Sequence, residues 1–452
     1  MTSSDWTWSE GGSGWENHGI MSRVNGPVRV GLLGCGNVGS ALVRLVADHA
    51  DLLEARAGVP IEIARVAVRD LSKRREVKLA PEVFTVDGSS VVDDPAVDVV
   101  VETMGGLEPA RTLIVDALRR GKPVITANKE LIARHGPDLF EIAADAGVDL
   151  LFEASVAGGI PLLRPLRESL AGDRIRRVLG IVNGTTNYIL TRMAEAGSSF
   201  EDALAEAQRL GYAEPDPTAD VEGLDAASKA AIIASIAFGA RVGPDDVYCE
   251  GITGITADDI ESAATLGYVV KLLAVAEERE GEVAVRVHPA MVPVHHPLAS
   301  VRESFNAVFI EGEAVGELML YGRGAGGGPT ASALLGDLVD AVKNLVSGAR
   351  GATIGELVAR PIRAIEETES PFYLLLEVAD QPGVLAAIAG EFGAHGVSIK
   401  SMEQRGIGAD ARLIFITHRA READVRATLE RLREVEPVHR VGSVLRVVGE
   451  DE

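Results

Sequence analysis

The chain has 452 residues, enough for roughly two or three domains. Its 46% hydrophobic and 25% charged residues are the proportions of an ordinary globular protein, and its formal net charge of −23 argues against nucleic acid or an anionic membrane as a partner. Two cysteines, Cys35 and Cys249, exclude a disulfide framework and fit a reducing, cytoplasmic compartment.

Residues 1–26 lack the basic start and apolar middle of a signal peptide. They carry Trp6, Trp8 and Trp15 in a Gly/Ser-rich setting without helix or strand period, and are expected to be a disordered or late-ordering extension. Two alternatives stay open: a start at Met21, and tryptophans that dock on a partner. The longest strongly apolar run, residues 230–240, is too short to span a bilayer.

A buried-type strand at 28–33 leads at once into Gly34-Cys35-Gly36-Asn37-Val38-Gly39, and residues 40–50 are helical by period. This is G-x-G-x-x-G in the context its chemistry requires, after a strand and opening a helix. Gly34 permits the tight turn, Gly36 lets backbone approach a pyrophosphate, and Gly39 permits close helix–strand packing. The helix N-terminus then meets the phosphates with free N–H groups and its dipole. The next strand, 61–68, ends in Arg69 and Asp70, followed by Lys73, Arg74 and Arg75. An acid there would bind the ribose hydroxyls of NAD, an arginine the 2′-phosphate of NADP. Arg69 leads the cluster, so NADP is expected, with NAD as the alternative.

Apolar strands at 97–101 and 124–126 end in Glu102-Thr103-Met104-Gly105-Gly106 and Ala127-Asn128-Lys129. Both endings fall at the carboxyl edge of a parallel sheet, where ligands bind, so Thr103 and Lys129 are candidate contacts. A further strand is expected at 149–153, after which Glu153 to Pro161 leads out of a β-α-β alternation covering 27–155.

The middle of the chain reads as α+β, with strands at 174–182, 283–287 and 307–311. An amphipathic helix at 200–210 runs into GYAEPDPTADVEGLDAASK, residues 211–229. Pro215 and Pro217 require an extended loop, and from Thr218 or Asp220 the pattern is helical into the apolar run. Asp225 and Lys229 stand four apart on one helix face. By itself such a pair is most often a solvated surface bridge. Beside a rigid acidic loop it is a candidate zwitterion site with a proton-transfer group. Five glycines between positions 322 and 328, Gly326 among them, precede a helix at 331–346 and imply backbone that closes on the nucleotide site. From Phe372 the order is βαββαβ, a ferredoxin-like unit whose Asp380-Gln381-Pro382-Gly383 starts its first helix.

Together GCGNVG, TANKELIA, EASVAGGIPLL, NGTTNYIL, GYAEPDPTADVEGLDAASK and the glycine loop before PTASALLGDL resemble the homoserine dehydrogenase family from Val28 to about Arg360. The C-terminal unit, with DQPGVL, resembles an ACT domain. The resemblance implies a multidomain chain of α/β and α+β units: a Rossmann-type dinucleotide-binding domain (27–155), an α+β catalytic, substrate and dimerisation domain (156–318), a return to the nucleotide domain (319–360) and a ferredoxin-like ACT regulatory domain (370–450). It implies reversible NAD(P)-dependent reduction of L-aspartate 4-semialdehyde to L-homoserine, the branch step toward threonine, methionine and isoleucine. Lys229 would donate and accept the proton and Asp225 would hold it. Glu214 and Asp220 would grip the substrate, and Lys129 would sit between nicotinamide and substrate. The nucleotide would lie against Gly34, Gly36, Asn37, Val38, Gly39, Arg69, Thr103, Lys129 and Gly326. A sodium ion would be held at Glu153, Val156, Gly158 and Ile160. ACT modules usually work in pairs, so a homodimer or homotetramer is expected, with an amino-acid effector as partner. ACT domains that bind amino acids often carry Asn where Ala394 or His395 stands; His395 is read either as an effector ligand or as a surface helix end.

Aspartate semialdehyde dehydrogenase shares the substrate but needs a thiolate nucleophile, which Cys35 in the phosphate loop and Cys249 in Tyr-Cys-Glu-Gly do not suit. The alternative is a catalytically silent amino-acid sensor on the same fold; loss of Lys229, Asp225 or the glycine fingerprint would favour it, and all are present.

Overall fold

The computed structural model describes residues 26–406 and 411–449; apart from Gly26, the expected N-terminal extension with its tryptophans lies outside the described residues. The first sheet has strands β1 (Val28–Leu33), β2 (Ile61–Ala67), β3 (Phe84–Thr85), β4 (Val99–Glu102), β5 (Val124–Thr126) and β6 (Leu150–Leu151), in the order β3-β2-β1-β4-β5-β6. Every neighbouring pair is parallel. The central strands β4 and β5 are buried on both faces because helices cover both. Val99 and Val101 enter the core shared with helices Asn37–Asp48 and Gly327–Ser347, whereas Val100 faces the core with helices Ala110–Arg119 and Lys129–Ala146. The strand order reverses between β1 and β4, which opens a crevice at their carboxyl ends.

The second sheet begins with strands Gly316–Arg323, Phe305–Gly312, Ile175–Ile181, Tyr268–Arg279 and Glu282–Pro293, each antiparallel to the next. Helices Gly184–Ala196 and Leu224–Phe238 pack on one face through Ile189, Leu190, Ala230 and Ile233. The C-terminal unit has the expected βαββαβ order: Phe372–Val378, helix Val384–Ala394, Ile399–Arg405, Arg412–Thr417, helix Glu422–Leu432 and Val438–Val447. Its strands do not form a separate sheet. Val438–Val447 pairs in parallel with Glu282–Pro293 through Ala290↔Arg446 and Met291↔Val447, so the catalytic and C-terminal strands make one sheet of ten.

Three local expectations change. The helix foreseen from Thr218 onward is two helices, Thr218–Val221 and Leu224–Phe238, broken at Gly223. Gly223 has φ +82°, a left-handed conformation that interrupts the helix, and a Cβ there would lie 3.0 Å from Cys249 Sγ, so the packed 249 segment also leaves little room for a side chain. The strand foreseen at 149–153 shrinks to β6, and Glu153 turns into a single tight turn, Glu153–Ser155. Strands Tyr268–Arg279 and Gly316–Arg323 are not expected from the sequence; the first ends in a charged run, Glu277-Glu278-Arg279, that hides its β period.

Candidate active site

Helix Asn37–Asp48 starts after Gly36 with no side chain capping its first turn, so its leading N–H groups face the crevice unpaired by any cap. A Cβ on Gly36 would meet nothing within 4 Å, which leaves open space before those donors. Gly39 is the opposite case: a Cβ would lie 2.3 Å from the Gly34 carbonyl oxygen. Thr103 locks the same turn, its Oγ1 donating to Gly34 O at 2.8 Å. Val38 is half-buried against the β1 core, and Asn37 is exposed beside the glycine loop, where a Cβ on Gly327 would fall 2.6 Å from Asn37 Oδ1. Gly326, with φ +114°, begins the helix that follows. Arg69 is exposed at the end of β2. Arg75 is the basic residue that touches the glycine turn: its Nε donates to Cys35 O at 3.2 Å and its Nη2 to Asp70 O at 2.8 Å. The Asp70 carboxylate accepts from the Ser72 hydroxyl (2.7 Å) and amide (2.8 Å), bonds that lower its pKa.

Asn183, after strand Ile175–Ile181, caps helix Gly184–Ala196 by accepting from Thr186 N at 2.9 Å. Its Nδ2 donates to Asp220 Oδ1 at 2.6 Å and to Asp225 Oδ2 at 2.8 Å. The motif NGTTNYIL by itself assigns Asn183 no role; its place between a strand and a helix is the signal for a capping residue. Lys229 Nζ donates to Asp225 Oδ2 at 2.7 Å and to the Val182 carbonyl at 2.6 Å. Asp225 and Lys229 are each only 8% exposed, so this is a buried pair and not a solvated bridge. Lys129, the first residue of helix Lys129–Ala146, pairs with the other oxygen of Asp225. A lysine of the nucleotide domain and a lysine of the catalytic domain thus share one carboxylate.

Burial opposes ionisation of Asp225, but the charges of Lys229 and Lys129 outweigh it and hold the carboxyl well below the usual range. Burial likewise pulls Lys129 down, and Asp225 more than reverses that, leaving its pKa raised. Glu102, buried at the end of β4, orders the crevice by accepting from Met104 N (2.6 Å) and from Thr126 Oγ1 (2.5 Å). Glu214 is exposed in the proline loop, which Gln208 Nε2 fastens at Glu214 O (3.2 Å) and Thr185 Oγ1 at Tyr212 O (2.7 Å). Burial pushes the Cys249 thiol up to about 11, which disfavours the thiolate a nucleophile needs.

The Glu153 carboxylate accepts from three backbone amides, Leu162 (2.5 Å), Leu163 (2.9 Å) and Arg164 (2.7 Å). Asp337 accepts from Glu153 N and from Arg164, and burial beside Glu153 pushes it up to about 7. Among the described residues no three His, Cys, Asp or Glu side chains converge on a metal position. A cation at 153–160 would therefore take main-chain oxygens, and Ala157 (φ +58°) and Gly158 (φ +54°) form the left-handed bend that would turn them.

Residues 161–339 match the family model "Homoserine dehydrogenase", residues 34–153 "Homoserine dehydrogenase, NAD binding domain" and residues 372–437 "ACT domain". The chain is 51% identical to homoserine dehydrogenase of Corynebacterium glutamicum, covering 93% of this chain and 95% of that one. Against the Bacillus subtilis enzyme the identity is 46%, with 93% and 98% covered. The crystal structure of a homoserine dehydrogenase from Thiobacillus denitrificans superposes with a TM-score of 0.88 at 40% identity, covering 93% of this chain and 98% of that one. A hyperthermophilic archaeal homoserine dehydrogenase, solved in complex with NADPH, superposes over 70% of this chain and 97% of its own, with a TM-score of 0.59 and 28% identity. Family models and relatives agree across nearly the whole length, and the chain belongs to the homoserine dehydrogenase family, as an NAD(P)-dependent oxidoreductase with NAD-binding, catalytic and ACT domains.

Proposed function

We propose that Lys229 is the proton donor and acceptor in the reversible conversion of L-aspartate 4-semialdehyde to L-homoserine, with Asp225 as its anchor. The pairing of Lys129 with Asp225 carries this reading, because it brings the carboxyl edge of the nucleotide sheet against the catalytic helix. A nicotinamide nucleotide, when bound, supplies the hydride in one direction and takes it back in the other. The uncapped helix and the open space before Gly36 suit its pyrophosphate. Reduction of an aldehyde leaves an oxygen that needs a proton. An ammonium has three N–H groups, and Lys229 commits two of them to Val182 O and Asp225 Oδ2, leaving one for that oxygen. In oxidation the same nitrogen takes the hydroxyl proton. Asp220, held by Asn183, and Glu214 at the loop accept from the substrate ammonium. The direct test is homoserine-dependent change in nicotinamide absorbance; amino-acid binding without that change would leave only a silent sensor.

Arg75 is proposed to receive the 2′-phosphate of NADP beside Arg69, since it already lies on the glycine turn. Arg75→Ala is expected to raise KM for NADP about tenfold, the loss of one charge-assisted contact, with KM for NAD within about twofold. Equal changes for both nucleotides would remove the assignment.

A sodium ion is proposed at the main-chain oxygens of Glu153, Val156, Gly158 and Ile160, a donor set suited to a hard cation. The bend at Ala157 and Gly158 supports it, and so does the tight seat of Gly158, whose Cβ would stand 2.3 Å from Gly324 O. Turnover is expected to fall when sodium is replaced by choline at constant ionic strength. An unchanged rate across sodium, potassium and choline would dispose of the site.

A further inference from the structure

One buried cation bridges the joint between the ACT and catalytic domains beside the strand pairing of Ala290 and Met291 with Arg446 and Val447. Arg446, 5% exposed on the last ACT strand, donates from Nε and Nη2 to Glu422 at 2.9 and 2.6 Å, within its own domain. Its Nη1 crosses the joint to Glu250 Oε2 at 2.8 Å, and its guanidinium lies over the Tyr248 ring at 5.2 Å. Tyr248 OH also donates to Glu250 Oε2, at 3.3 Å.

Glu250 belongs to a segment pressed against the substrate side chains' own support. On either side of it, Cys249 Sγ donates to Glu222 O at 3.2 Å and Ile252 N donates to Val221 O at 2.8 Å. Between them Gly251 is so close that a Cβ would lie 2.3 Å from Val221 O and 2.6 Å from Glu222 Cα. Val221 ends the short helix that carries Asp220, and Glu222 and Gly223 form the break before the long helix that carries Asp225 and Lys229.

We propose that Glu250 is a positioning residue for the amino-acid substrate: clamped by Arg446 of the ACT domain, it fixes the turn at 221–223 and through it the placement of Asp220 relative to Asp225. A state of the ACT domain that withdraws Arg446 frees that turn and loosens substrate binding without touching the nucleotide site. The inference rests on the assignment of Asp220 and Asp225 to the substrate.

The test is steady-state kinetics of the full-length enzyme with Glu250→Ala, Glu250→Gln and Gly251→Ala. Glu250→Ala is expected to raise KM for homoserine about fivefold, in the range of mutations along a coupling route, with kcat and the nucleotide KM within about twofold. Glu250→Gln keeps an acceptor for Arg446 and is expected to restore KM to within about twofold of the starting enzyme. Gly251→Ala pushes on the same turn with the Arg446 contact intact and is expected to raise the homoserine KM alone. Where the alanine at 251 fails to fold by circular dichroism, the two Glu250 variants decide by themselves. An unchanged homoserine KM in Glu250→Ala, a parallel rise in both KM values, or a Gln variant as impaired as Ala overturns the proposal. Impaired Asp225→Asn beside a normal Glu250→Ala would overturn this inference alone; a normal Asp225→Asn would overturn the substrate assignment beneath it.

Discussion

Replacement of Lys229 by alanine is expected to lower kcat by two or more orders of magnitude, the range of a lost acid–base group. The geometry makes the expectation specific. Lys229 is the only lysine among the described residues that both contacts Asp225 and lies on the catalytic helix; Lys129 reaches Asp225 from the opposite domain. Alanine at 229 removes the donor to Val182 O and leaves that buried carbonyl unpaired, at a cost of about 1–3 kcal/mol. Asp225 keeps Lys129 and Asn183 as partners, so the site's charge stays compensated and the fold is expected to hold. Substrate and nucleotide KM values should change far less than kcat, because the lost interaction acts on the reacting oxygen. A variant with near wild-type turnover would reject Lys229 as the proton-transfer group.

Asp225→Ala is expected to be damaging in two ways at once. It leaves the buried Lys229 without its carboxylate, and breaking such a pair from one side costs about 3–5 kcal/mol. It also frees the ammonium to swing from the reacting oxygen, for which a loss of about tenfold or more in kcat is expected. Asp225→Asn keeps the shape but removes the charge, and separates the two effects through its pH dependence. The folded carboxyl titrates below its ordinary value of 3.8, so its contribution is fully present above that value and is lost as pH falls through the lower folded one. Wild-type unfolding free energy should therefore decline on the acid side of pH 3.8 with a component missing from Asp225→Asn. Superimposable acid limbs for the two proteins would show that the carboxylate is not held by the lysines in solution.

Much of the architecture was legible because it is written in local spacing. Gly34, Gly36 and Gly39 between a strand and a helix need only short-range sterics to be read, and the apolar strands around them declare a parallel sheet. The C-terminal βαββαβ order likewise follows from turn residues and period. Within the candidate site, Asp225 and Lys229 could be placed on one helix face by counting residues. What counting could not supply was their surroundings: whether water or Lys129 stood on the other side of Asp225, and whether Asn183 served as more than part of a motif. Arg75 was visible only as one member of a basic cluster, since which arginine folds back onto Cys35 O depends on the path of the loop after β2.

The sequence by itself determined the fold class, the family and the nucleotide-binding and ACT element orders, because these depend on residue type at short spacing. Tertiary structure alone decided that a nucleotide-domain lysine and a catalytic-domain lysine share Asp225, that Gly223 breaks the helix, and that the ACT strands continue the catalytic sheet through Ala290 and Met291. The physical reason is common to all three. Periodicity states which face of an element must be buried, but what covers that face is settled by packing between segments far apart in the chain, where the charge of Asp225 and the missing side chain of Gly223 find their partners.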